Sequence, residues 1–226
     1  EALREKHPDE PVLHALHQVV MPGFVDPHTH LLWSGDRAAE FDMRLQGKSY
    51  LEIQAAGGGI VSTVRQTRKA LSENDLFTAT RSRADRMFKH GTTTVEVKTG
   101  YGLDTISELQ MLQQIVALDE ELPIDLIPTF MPAHASPPEF ADNTEGYINI
   151  IINEMLPLLE EKIGRSNGIP VEKTNLFFDV FCEQGAFSLE QTRRLFEAAR
   201  RAGLPLKIHA DEFENLGGVR LAVKMG

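Results

Sequence analysis

The sequence predicts an α/β protein made of parallel βαβ units. Short apolar runs alternate with amphipathic segments, and the alternation repeats five times. Residues able to bind metal or move protons stand at the ends of those runs. The expected strands are residues 19–27, 92–98, 124–131, 175–182 and 206–210.

The first strand leads into Pro22-Gly-Phe-Val-Asp-Pro-His-Thr-His30, with Val19, Val20, Phe24 and Val25 suited to burial. Side chains alternate along a strand, so His28 and His30 point the same way and could serve as two ligands of one cation. Residues 31–71 read as a long connection holding Gly57-Gly58-Gly59, expected to be a flexible lid or a tight packing turn. No Gly-Lys-Ser/Thr follows and no dinucleotide fingerprint is present, which argues against a phosphate cradle. Ser72 with Asp75 resembles a capping box for a helix closing near His90, with Gly91 as its stop.

The second strand ends at Lys98. Thr105 with Glu108 repeats the box ahead of Leu109, Leu112, Ile115 and Val116 at helical spacing. After the third strand comes a loop over 134–144 and a helix over 147–162 that Pro157 should bend or break. Ser188 with Gln191 opens another helix, carrying Leu195, Phe196 and Ala199 and stopped by Gly203. The last strand, 206–210, leads to a helix over 216–225.

Five βα units fit a doubly wound sheet as well as part of a closed barrel. The polar residues favour the barrel. His28, His30, Lys98, His134, Glu183 and His209 all fall at or just past strand C-termini, the face on which barrel enzymes place their sites. On that reading the chain holds about the first five units of a TIM (β/α)8-type barrel, and the last three strands are absent.

Composition is that of a soluble globular protein, with 42% apolar and 25% charged residues among 226. The 23 basic and 33 acidic residues leave a net charge of −10, which argues against nucleic acid and anionic membranes as partners. No apolar run is long enough to span a bilayer, and the charged, His-rich start does not resemble a signal peptide. The single cysteine, Cys182, excludes an internal disulfide and is expected to be a packed thiol in a reducing compartment. A cytoplasmic location is expected, with a homodimer as the default assembly.

His209 lies near the end of its strand on the face expected for His28 and His30, although taken alone it reads sooner as a core imidazole bonded to a carbonyl. Glu212, three residues on, tips the balance: a carboxylate beside a metal ligand can take a proton from activated water and pass it to a leaving nitrogen. Asp211 and Glu214 are rival carboxylates, Asp211 being expected to face away or support the loop. His134 could be a ligand, an electrophile toward a substrate carbonyl, or a loop-positioning residue. Lys98 could bridge two metals if carboxylated or pair with Glu96, and a binuclear site is not favoured. Tyr101, between two glycines, could present its hydroxyl to a cavity. Arg37 is the natural clamp for an anion. His7, His14, His17 and His90 are given no role.

Together these residues resemble the amidohydrolase superfamily and, within it, the imidazolonepropionase family. The resemblance runs from Val19 to Gly226, on the first motif with Gly35-Asp-Arg37, then Glu96-Val-Lys-Thr-Gly-Tyr-Gly102, Ala133-His-Ala135 and Ile208-His-Ala-Asp-Glu212. It implies hydrolytic ring opening of 4-imidazolone-5-propanoate to N-formimidoyl-L-glutamate in histidine degradation. It further implies one zinc or iron held by His28, His30 and His209, with Glu212 as acid/base. Arg37 would hold the propionate of a small carboxylate-bearing substrate, Tyr101 and His134 would contact it, and Tyr50 is a weaker candidate contact. Residues 1–18 would be a remnant of an N-terminal β-sandwich or linker. A fourth ligand, an eighth-strand aspartate, and a histidine after the fifth strand would lie outside the 226 residues. The alternatives are a related deaminase of an aminated heterocycle and a non-catalytic metal-binding fragment.

Overall fold

The computed structural model describes residues 2–49, 52–53, 57–73, 75–163, 168–171 and 175–226. Five strands form one parallel sheet: β1 Phe24–Thr29, β2 Thr92–Lys98, β3 Asp125–Ala133, β4 Phe177–Cys182 and β5 Leu206–Ala210. Their spatial order is β1-β2-β3-β4-β5. A doubly wound sheet reverses direction at a switch point, whereas a barrel adds each strand on the same side. The unbroken order is therefore that of a barrel arc, and the molecule is a half-barrel.

Helices join the strands: α1 Ala2–Lys6, α2 Ala38–Leu45, α3 Ile60–Ser72, α4 Asp75–Lys89, α5 Thr105–Glu121, α6 Thr144–Ile150, α7 Leu156–Lys162, α8 Leu189–Arg201 and α9 Gly218–Met225. Val95 and Val97 of β2 pack with Leu76 and Ala84 of α4 and with Met111, Ile115 and Leu118 of α5. Phe130, Phe178 and Val180 pack with Leu195, Phe196 and Ala199 of α8. Each buried Val, Leu, Ile, Phe or Met side chain among these contributes about 1.5–3 kcal/mol. The opposite face of the same strands carries Glu96, Lys98, Thr129, Asp179, Lys207 and His209. Period-two alternation sends apolar groups to the helices and these groups inward.

Several local expectations need correction. β1 starts at Phe24, not Val19, because Pro22 has no N–H and the pairing begins with the Phe24 N–H donating to Gly91 O at 2.8 Å. Val19, Val20, Phe24 and Val25 are exposed rather than buried, since β1 is an edge of this sheet. The stretch 31–71 is not one loop: it contains α2 and most of α3. Within it Gly59, at φ +72°, precedes α3 and donates its N–H to the buried Glu40 carboxylate at 2.8 Å, so the glycines make a packing turn.

Ser72 closes α3, its hydroxyl donating to Lys69 O at 2.7 Å, instead of capping α4. Asp104, not Thr105, caps α5 by accepting the Ser107 N–H at 2.8 Å. Pro157 is accommodated by a π-turn over Ile151–Met155, so the helix widens just before the missing N–H. The Ser188–Gln191 capping box is present as expected.

Candidate metal centre

His30 directly follows β1 and His209 lies in β5, the two outer strands of the arc, four strand spacings apart. In a flat sheet their backbones would lie roughly 19 Å apart, at about 4.8 Å per strand. Their Nε2 atoms are 3.3 Å apart. Only a strongly curled sheet permits this. His28 joins them, and one ring nitrogen from each of the three lies within 4.8 Å of the others.

The hydrogen bonds settle how His209 is held. Its Nδ1 lies 3.0 Å from Asp179 Oδ2, a carboxylate that can only accept, so Nδ1–H donates there and the ring turns its Nε2 toward His30. Burial lowers the pKa of His28, helped by the neighbouring His209 imidazole. Burial holds His30 well below the usual range, with His134 and His209 adding to the effect. Neutral imidazoles with converging lone pairs are the form that binds a divalent cation. His30 Nδ1 is buried with no hydrogen-bond partner among the described residues. The donor set fits zinc or iron, and its chemistry does not choose between them.

Beneath the histidines lies a buried ionic network. Lys98 Nζ donates to Glu96 Oε1 at 2.6 Å and to Asp179 Oδ2 at 2.8 Å. Lys207 Nζ and Thr129 Oγ1 also reach Glu96 Oε1, each at 2.6 Å. Burial pushes the Glu96 and Asp179 carboxyls up, but their cationic and hydrogen-bonding neighbours bring both below the ordinary range. Lys98 thus makes the expected ion pair with Glu96. Asp179 was missed in sequence, although a lone acid in Phe177-Phe-Asp-Val-Phe-Cys182 signals a polar inner face.

The remaining predicted residues fall at varying distances from this centre. The His134 ring stacks on His30, centroids 4.5 Å apart, and Tyr101 lies 5.5 Å from His30 and 5.2 Å from His134. His134 donates Nδ1–H to Gly100 O at 2.9 Å, and burial pushes its pKa down to about 4. Its neutral ring therefore offers Nε2 as an acceptor, not the donor an electrophilic role requires. Arg37 precedes α2 and donates twice to Thr63 Oγ1, at 3.2 and 3.1 Å. Its charge reaches both Tyr101 and His134.

Glu212 is exposed and makes no side-chain hydrogen bond among the described residues. Its backbone is anchored: Glu183 accepts the N–H groups of Gln184, Glu212, Phe213 and Glu214 at 2.9–3.1 Å. Asp211 is exposed at φ +59°, and Cys182 is a buried thiol whose pKa burial raises. Tyr50 lies outside the described residues.

Residues 19–224 match the sequence model of the amidohydrolase family. The chain belongs to that family. Among its curated relatives, the imidazolonepropionase of Herpetosiphon aurantiacus is 50% identical over 208 residues, covering 92% of this chain and 48% of the relative. That of Alkaliphilus metalliredigens is 50% identical over 209 residues, 92% of this chain and 47% of the relative. That of Symbiobacterium thermophilum is 46% identical over 222 residues, 98% of this chain and 50% of the relative. The chain spans about half the length of these relatives. No helix among the described residues is long and apolar enough to cross a membrane.

Proposed function

We propose that this chain carries the central part of an imidazolonepropionase site, opening the ring of 4-imidazolone-5-propanoate to N-formimidoyl-L-glutamate in histidine degradation. The observation that supports it best is the convergence of His28, His30 and His209 beside Tyr101 and His134. The names of the curated relatives support the choice of substrate. We read the location as cytoplasmic, residues 1–18 as a linker or sandwich remnant, and the whole enzyme as a dimer.

Zinc or iron held by His28, His30 and His209 would supply Lewis acidity, polarising the ring carbonyl and acidifying water. In the hydrolysis, the oxygen of water joins the carbonyl carbon, the C–N bond breaks and a proton reaches the departing nitrogen. Glu212 is assigned the proton transfers, because it follows the ligand strand directly and its backbone is pinned by Glu183. Arg37 pairs with the propionate using guanidinium N–H groups not engaged by Thr63. His134 Nε2 accepts a ring N–H, and the Tyr101 hydroxyl completes the pocket wall.

Glu212→Gln in the full-length protein should retain its metal while kcat falls by about 100-fold or more, followed by loss of ring absorbance. Arg37→Ala should raise KM by about 10-fold or more with a smaller change in kcat. Undiminished turnover in the first variant removes the proton-transfer role. Ammonia release without ring opening by the wild-type protein rejects the substrate.

A further inference from the structure

We infer that Glu108 is a positioning residue for the proposed ring-opening reaction, holding loop 99–103 so that Tyr101 and His134 face the substrate. The inference rests on the substrate-contact reading of those two residues.

Glu108 lies in the first turn of α5 and is fully buried. The helix does not need it as a cap, since Asp104 already accepts the Ser107 N–H. Its carboxylate turns back onto the loop. Oε1 accepts the N–H groups of Gly102 and Leu103, both at 2.8 Å, and Oε2 accepts that of Gly100 at 3.0 Å. The Gly100 N–H also lies 3.1 Å from Oε1. Three N–H donors from four consecutive residues converge on one buried carboxylate.

That loop reaches the candidate centre at two points. Gly100 O accepts the His134 Nδ1–H at 2.9 Å, so the bond that selects the His134 tautomer ends on a residue Glu108 holds. Tyr101 stands between two N–H groups that Glu108 holds. The flanking glycines are explained by the same packing. A Cβ at Gly102 would lie 2.9 Å from Glu108 Oε1, and one at Gly100 would lie 3.0 Å from the His134 ring with φ at +105°. Leu103 is held at φ +53°, a left-handed conformation an L-residue keeps only when its surroundings enforce it. The Gly-Tyr-Gly sequence is thus the shape of a loop wrapped around a carboxylate.

Glu108→Gln replaces one acceptor oxygen with an amide that faces N–H donors. In the full-length metal-loaded protein we expect kcat/KM for ring opening to fall about 10- to 100-fold, with metal content unchanged. In a Tyr101→Ala/His134→Ala background the same change should cost less than about threefold, because both residues it positions are gone. Nitrogen NMR of the imidazoles should show His134 as a single Nδ1–H tautomer in the wild type and as a mixture in Glu108→Gln. Gly102→Ala would bring a Cβ against the first turn of α5, 2.7 Å from the Glu108 backbone N and 2.9 Å from its Oε1, and should reproduce these changes by parting loop and helix, which covers the case in which Glu108→Gln does not fold. An unchanged His134 tautomer in the folded variant, or an equal fall in both backgrounds, overturns the inference. If the wild-type protein opens no ring, the functional reading fails on that result alone, and the nitrogen shifts still decide whether Glu108 holds the loop.

Discussion

The middle strands β2 to β4 are buried and carry charge, whereas β1 and the segment leading to it are apolar and lie in the open. Glu96, Lys98 and Asp179 are at most 4% exposed, while Val19 and Val20 are 88% and 82% exposed. This reverses the simple rule that apolar residues are inside and charged ones outside. The arc explains it. Its concave face gathers groups that must hold and orient imidazoles, so burial there is secured by pairing, not by hydrophobicity. The edge strand has a neighbour on one side only, and its apolar residues have nothing among the described residues to cover them.

The sharpest way to break the comparison is to unbalance the inner network. Glu96 and Asp179 face Lys98 and Lys207, two charges of each sign. Lys98→Met leaves both carboxylates short of their shared partner, and breaking a buried pair costs about 3–5 kcal/mol. Urea unfolding should show that loss, with the variant near the limit of folding. A loss below about 1 kcal/mol would mean that water reaches this face freely.

Asp179→Asn comes next. An amide in that place can donate to His209 Nδ1, which would move the ring proton to Nε2 and remove the lone pair aimed at His30. Metal affinity, measured by competition with a chelator, should weaken about 10- to 100-fold. Unaltered affinity would leave Asp179 as a structural acid only.

How far this could be read from residues alone depended on the range of the interactions involved. Alternation along one strand is local, so His28 and His30 could be paired by inspection, and the Ser188–Gln191 box spans a single turn. His209 could be assigned a face but not a distance, since its 3.3 Å approach to His30 depends on the curl of the whole sheet. Asp179 and Lys98 are 81 residues apart and meet only through strand register, which no local pattern encodes. Glu108 was misread for a related reason. A carboxylate near a helix start suits a capping box, yet its true partners are the N–H groups of the preceding loop. Val19 and Val20 misled in the other direction, because apolar character marks what can be buried, not what is.

The smallest effect is expected at that exposed segment. Val20→Ser removes an apolar side chain that already meets solvent, so stability of this chain should change by less than about 0.5 kcal/mol. Phe24 and Val25 extend the same open surface into β1, at 53% and 65% exposure, so the patch continues along the sheet edge. If the unfolding free energy instead falls by more than about 1 kcal/mol in the full-length protein, the valine is covered there, as a buried apolar group of this size would require. Measuring the same substitution in both forms therefore separates a surface that is truly open from one that serves as the seam of a larger barrel.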